Sequence, residues 1–186
     1  MTTSEVERLL QAACFAAEKH RNCRREDAEA SPYINHPLAV AFVLSKEGGV
    51  TDVEVLAAAL LHDTVEDTET TVEELKAAFG SDVAATVAEV TDDKSLDKGE
   101  RKRLQVVNAG LKSDAAKLVK LADKICNLRD IATAPPVGWS IERRVAYFDW
   151  ARKVVAGLRG VNPALEATFD QTHEAGLKAL AALQVK

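Results

Sequence analysis

His36, His62, Asp63 and Asp123 are the residues of this chain best suited to chemistry. His36 lies in Tyr33-Ile34-Asn35-His36-Pro37, at the predicted start of a helix. His62-Asp63 closes the apolar run Val55-Leu56-Ala57-Ala58-Ala59-Leu60-Leu61. Asp123 interrupts Lys120-Leu121-Ala122-Asp123-Lys124, inside an otherwise apolar helix. A polar side chain at a core position is costly unless it is paired or bound to a metal. Two imidazoles and two carboxylates make a mixed nitrogen–oxygen donor set, which suits Mn²⁺ or Fe²⁺ in an open octahedron. Zinc is an alternative, although it more often recruits Cys or a third His. Singly, His36 reads equally as a helix cap and Asp123 as a surface partner of Lys120 or Lys124. Their joint occurrence points to a site, and only three converging helices can assemble it.

The elements that must position these residues read as helices throughout. Leu9, Leu10, Ala13, Ala16 and Ala17 recur at helical spacing before Lys19-His20. Thr51-Asp52-Val53-Glu54 and Thr71-Val72-Glu73-Glu74 have the capping-box form. Gly80 suits a helix stop, and Ser81 an N-cap for Asp82 to Val90. A basic helix runs from Lys98 towards Asn108. Ser113 and Ser140 open two more helices, and Asn162-Pro163 starts the last. No stretch alternates with period two long enough to propose a sheet. The expected fold class is all-α, a helical bundle in which residues 1–186 form a single domain.

Composition narrows the function. The chain has 24 Lys plus Arg against 29 Asp plus Glu, a formal net charge of −5. That balance disfavours a nucleic acid polymer as partner, because polymer binding relies on excess cations to neutralise phosphates. One local basic cluster still suffices for a small anion. No apolar run approaches a membrane span. Cys14, Cys23 and Cys126 form no CxxC pair and read as buried small apolar residues of a cytoplasmic protein. His20 reads as a cation at a helix C-terminus. Neither it nor His173 is expected to have a function.

The order His, His-Asp, Asp resembles the HD-domain phosphohydrolases. Within them the chain is most similar to the hydrolase domain of the RelA/SpoT family, in the stand-alone form of the metazoan SpoT homologs. The resemblance runs from about Ala12 to Gly160. It rests on Ser31-Pro32-Tyr33-Ile34-Asn35-His36-Pro37, on Leu61-His62-Asp63-Thr64-Val65-Glu66-Asp67-Thr68, on Glu89-Val90-Thr91-Asp92-Asp93-Lys94, on Arg101-Lys102-Arg103-Leu104-Gln105, and on Lys117 through Asp130.

The resemblance implies one Mn²⁺ held by His36, His62, Asp63 and Asp123. It implies that Glu66 and Asp67 orient or deprotonate the attacking water, as carboxylates beside a metal can. A helix continuing past Asp63 would put Glu66 one turn beyond His62. It further implies that Asn127 contacts the nucleoside and that Tyr147 lines the nucleotide pocket. A phosphorylated substrate needs cations, and Arg24, Arg25, Lys98, Arg101, Lys102 and Arg103 are the candidates. The implied activity is hydrolysis of the 3′-pyrophosphate of ppGpp and pppGpp, giving GDP or GTP and pyrophosphate. Alternatives are a phosphohydrolase of adenine nucleotides (adenosine alarmones or the 2′-phosphate of NADPH) and a nucleotide-binding regulator without catalysis.

One residue departs from the family pattern. The family has Arg-Lys where this chain has Arg25-Glu26. The family Arg stacks on the purine and the Lys approaches its acceptor edge. Guanine offers O6 and N7 acceptors there, whereas adenine offers an N6 donor. Glu26 facing the base is therefore expected to weaken guanine preference.

Overall fold

The computed structural model describes residues 2–184, which form ten α-helices and one 3-10 turn. In chain order they are α1 (Thr3–Lys19), α2 (Asn35–Lys46), α3 (Val53–Leu61), α4 (Thr64–Asp67), α5 (Val72–Phe79), α6 (Ser81–Val90), α7 (Lys98–Asn108), the 3-10 turn Ala109–Leu111, α8 (Asp114–Thr133), α9 (Ile141–Leu158) and α10 (Pro163–Gln184). The described residues contain no strand, and their β-type pairing is an isolated bridge between Arg24 and Pro32. No described helix is long and apolar enough to cross a membrane.

Two helices form the centre. Every residue of α3 from Val55 to Leu61 is buried, as expected of a helix that is apolar all round. It packs against α1, α2, α6 and α8. Helix α8 touches α2, α3, α6, α9 and α10 and is buried from Val119 to Cys126. Lys120, Asp123 and Lys124 lie within that stretch, so three charges are carried into the core on an apolar helix.

Local signals explain most helix ends. Thr71, Ser113 and Ser140 accept a hydrogen bond from the backbone N–H three residues on, and Asn162 does the same for α10. Gly80 ends α5 with φ 87°, a left-handed geometry that favours glycine. Two details differ from the expectation. The α3 cap is Asp52, whose Oδ1 accepts from Glu54 and Val55. Thr51 and Asp52 are both good caps, and the shorter reach of Asp52 to these two donors decides it. Ser81 is already helical, with Gly80 in the cap position.

Helices α9 and α10 meet at Gly176. A Cβ there would lie 2.3 Å from Phe148 Cε1 and 2.5 Å from Cζ, and Phe148 is fully buried. Gly176→Ala is expected to destabilise the fold by about 1–2 kcal/mol. The overpacking penalty exceeds the helix-propensity gain of roughly 1 kcal/mol. Thermal melting should show a Tm lower by about 2–8 °C.

Candidate active site

The four candidate residues arrive from three helices. His36 sits in the first turn of α2, His62 and Asp63 occupy the junction between α3 and α4, and Asp123 lies mid-way along α8. The helix ends at His62-Asp63, as the end of the apolar run suggests, and does not continue unbroken into Glu66. The chain leaves the helix at His62 and Asp63, and α4 restarts at Thr64. The Thr64 hydroxyl donates to Leu61 O at 2.7 Å, closing the break. Asp63 therefore turns inward with His62.

The donors converge. His36 Nε2 lies 3.2 Å from Asp123 Oδ1 and 3.8 Å from Asp63 Oδ2. His62 Nε2 lies 3.1 Å from Asp63 Oδ2 and 4.0 Å from Asp123 Oδ1. One ligand atom each from His36, His62 and Asp123 falls within 4.8 Å of the others. His62 Nδ1 is 2.8 Å from Ala59 O. A carbonyl only accepts, so Nδ1 carries a proton and Nε2 is the ring nitrogen turned to the cluster. That Nε2 is buried without a hydrogen-bond partner. An orphaned imidazole nitrogen facing two carboxylates and a second imidazole fits a divalent cation.

Electrostatics keep both carboxylates ionised. Burial would raise Asp123, but Lys124 and His36 hold it well below the carboxylate range. Burial also works against Asp63, and the two histidines pull it below its usual value. His62 is depressed by burial, yet Asp63 more than offsets this and pushes it up to about 9. Lys124 Nζ is 2.9 Å from Asp123 Oδ2. Asn127 donates to Asp123 Oδ1 at 2.6 Å. Asn127, expected at the nucleoside, is thus also a support for Asp123.

Glu66 and Asp67 lie in α4, the short helix that follows Asp63. Glu66 Oε2 accepts from Asp92 N at 3.1 Å, and Arg101 Nη1 is 4.0 Å from Oε1. Burial pushes the Glu66 carboxyl up. Asp67 accepts from Lys94 Nζ at 2.6 Å and is more open to solvent.

His36 opens onto a cleft of about 620 Å³, whose walls include Arg25, Glu26, Tyr33, Asp67, Asn127 and Tyr147. Arg25 is tied down by Asp130 at 2.6 Å, and Val137 N donates to Glu26 O at 2.8 Å. Arg24, also on the wall, is exposed and donates to Arg21 O and Cys23 O.

The other basic candidates divide. Lys102 lies over Trp150 (4.7 Å) and Tyr147 (5.4 Å), with Lys98, Lys124 and Arg143 as its charged neighbours. Arg101 faces Glu66 and a separate hollow of about 260 Å³. Arg103 turns outward to Glu100 at 2.7 Å.

Several residues behave differently from their sequence reading. His20 is buried, stacked on Tyr33 with ring centroids 4.8 Å apart, and burial lowers its pKa. It is therefore not a solvated cation at a helix end. Cys14 is exposed and Cys23 half-buried, so only Cys126 is a core cysteine, its thiol pushed up to about 12 by burial. Arg143, stacked on Trp139 at 4.1 Å, and Tyr33 were not singled out from sequence. The Arg143-Arg144 pair four residues ahead of Tyr147 was the available signal for the first.

The HD domain family matches residues 12–147, which takes in all four donors. The chain belongs to the HD-domain family. This HD-domain chain is 58% identical to the zebrafish (Danio rerio) guanosine-3′,5′-bis(diphosphate) 3′-pyrophosphohydrolase MESH1, covering 96% of the chain and 99% of the relative. The human protein of the same name is 59% identical, over 88% of the chain and 91% of its own length. A solved structure described as a metazoan ortholog of SpoT that hydrolyzes ppGpp superposes with a TM-score of 0.88. It is 51% identical and covers 90% of this chain and 94% of that one. The stretch matched by the HD domain family contains the residues that converge here.

Proposed function

We infer that this HD-domain chain is a metal-dependent pyrophosphohydrolase that removes the 3′-pyrophosphate from ppGpp and pppGpp. The observation that carries the reading is the cluster of His36, His62 and Asp123, with Asp63 beside it and His36 facing a nucleotide-sized cleft, in a chain 58% identical to a hydrolase of that name over nearly its whole length. Residues 1–186 act as one hydrolase domain in the cytoplasm. The substrate is a small phosphorylated purine nucleotide, with neither a nucleic acid polymer nor a membrane as partner.

His36, His62, Asp63 and Asp123 hold the cation, and the mixed nitrogen–oxygen set favours Mn²⁺. When bound, such an ion polarises a phosphoryl oxygen and lowers the pKa of water. Glu66 accepts the proton of the attacking water, and Asp67 helps to orient it. The water oxygen bonds to the phosphorus attached to O3′, the O3′–P bond breaks, and pyrophosphate leaves. The proton gathered at Glu66 is then available to O3′. Arg25, fixed by Asp130, supports the purine. Asn127 and Tyr147 border the nucleoside. Lys98, Arg101 and Lys102 neutralise the phosphates, joined by Arg143 through its place beside Lys102.

Glu26 on the cleft wall favours a second reading of base choice, in which adenine-bearing substrates are also accepted. The experiment compares kcat/KM for guanosine and adenosine 3′-diphosphate 5′-diphosphate with Mn²⁺ present. The expected guanine preference is small, and Glu26→Lys should raise it by about tenfold, the scale of one base-edge contact. A strong preference that Glu26→Lys leaves unchanged would contradict the role of Glu26. Equal inertness of both nucleotides would contradict the hydrolase reading.

A further inference from the structure

We propose that Tyr33 is a positioning residue for the cation site: its hydroxyl fixes the Asp63 carboxylate, and the buried ring of His20 backs it. The proposal rests on the hydrolase reading of the four donors.

Asp123 and Asp63 differ in how they are held. Asp123 stands on a continuous helix and has Lys124 and Asn127 as donors. Asp63 lies in the break between α3 and α4, with φ −98° and ψ −2°, so no helix turn fixes its side chain. Apart from the candidate ligand imidazoles, Tyr33 is the one side chain among the described residues that hydrogen-bonds to it. The phenol donates to Oδ2 at 2.7 Å. Oδ2 is also the oxygen that faces His62 and His36. The bond therefore sets the direction of the oxygen that completes the cluster. A donor that hydrogen-bonds a metal-ligating carboxylate from behind orients it and tunes its affinity for the metal.

Tyr33 is itself held from several sides. His20 stacks on its ring at an interplanar angle of 27°. The Arg25 guanidinium lies 5.5 Å from the ring centroid. The His36 ring meets it edge-on at 6.1 Å. His20 is 2% exposed, and neither of its ring nitrogens has a hydrogen-bond partner. An imidazole in that state contributes a flat surface. A flat apolar ring should replace it, whereas a methyl group should not.

The test is calorimetric titration of metal-stripped protein with Mn²⁺, for wild type, Tyr33→Phe, His20→Phe and His20→Ala. Tyr33→Phe removes only the hydroxyl and should weaken Mn²⁺ binding by about 10–100-fold. His20→Phe should bind near the wild-type level, and His20→Ala should fall between wild type and Tyr33→Phe. Excess Mn²⁺ should restore most of the kcat of Tyr33→Phe, which a merely loosened fold would not allow. The rise in Tm on adding Mn²⁺, taken from each protein's own metal-free Tm, reads the same affinity whatever the starting stability. Wild-type Mn²⁺ affinity in Tyr33→Phe would overturn the proposal and leave the hydrolase reading intact. Failure of the wild type to bind Mn²⁺ would overturn both.

Discussion

Asp63→Ala should lower kcat/KM for ppGpp by about three orders of magnitude, because it removes one of four donors from a site asked to supply several kcal/mol. The loss should reach kcat as well as KM, since the cation acts on the reacting phosphoryl group. Mn²⁺ binding should weaken in parallel in a calorimetric titration. Asp63 suits the experiment better than Asp123. Removing Asp123 would strand the buried Lys124 ammonium, and breaking one half of a buried pair is itself strongly destabilising. Removing Asp63 strands no obligatory charge, because the His62 imidazole can lose its proton.

The same variant carries a pH signature. His62 rises from 6.5 to about 9 in the metal-free fold, with burial opposing and Asp63 driving the shift. A folded-state value above the unfolded one stabilises the fold fully below about 6.5, and that contribution fades as pH rises through 9. The metal-free Tm difference between wild type and Asp63→Ala should therefore be largest at pH 6 and shrink towards pH 10. A difference that is flat across this range would contradict the assigned contact.

Glu66→Gln should lower kcat by about 10²–10⁴-fold, the usual scale for a general base, while Mn²⁺ affinity and KM stay near wild type. Gln keeps the shape and can still meet Asp92 N through its carbonyl oxygen. Burial raises the Glu66 carboxyl, and the Asp63 and Asp92 charges add to the rise. The active form is the carboxylate, so kcat falls as Glu66 takes up a proton. The acid limb of the kcat profile should vanish in Glu66→Gln. A Gln variant with full kcat would move the base to Asp67.

The residues that could be read from sequence share a cause. His62-Asp63 stood out because two polar groups end a seven-residue apolar run, and Asp123 because it breaks an apolar helix. Both are violations of core pattern, which one sequence displays directly. The helix end at His62-Asp63 is legible where the apolar run stops, whereas the restart at Thr64 is not, since a hydroxyl-to-carbonyl bond from Thr64 to Leu61 closes the break without Gly or Pro. His20 was misread because its helix-end position is local, whereas its burial under Tyr33 depends on the 21–33 segment folding back. The basic residues were legible as a group but not by direction. Arg103 meets Glu100 one turn away and leaves the site. Lys102, one residue earlier, turns towards Tyr147 and Trp150. Helix phase separates such neighbours, and phase becomes visible only when α7 packs on α9.

Cleavage at the 3′-pyrophosphate is read off from the phosphorus inventory of a complete turnover. Metal-stripped protein is reloaded with Mn²⁺, given ppGpp, and followed by phosphorus NMR. Pyrophosphate and GDP should appear in equal amounts, with no orthophosphate formed first and no reaction before Mn²⁺ is added. Orthophosphate as the first product, or Mn²⁺-loaded protein that leaves ppGpp intact, would contradict that cleavage.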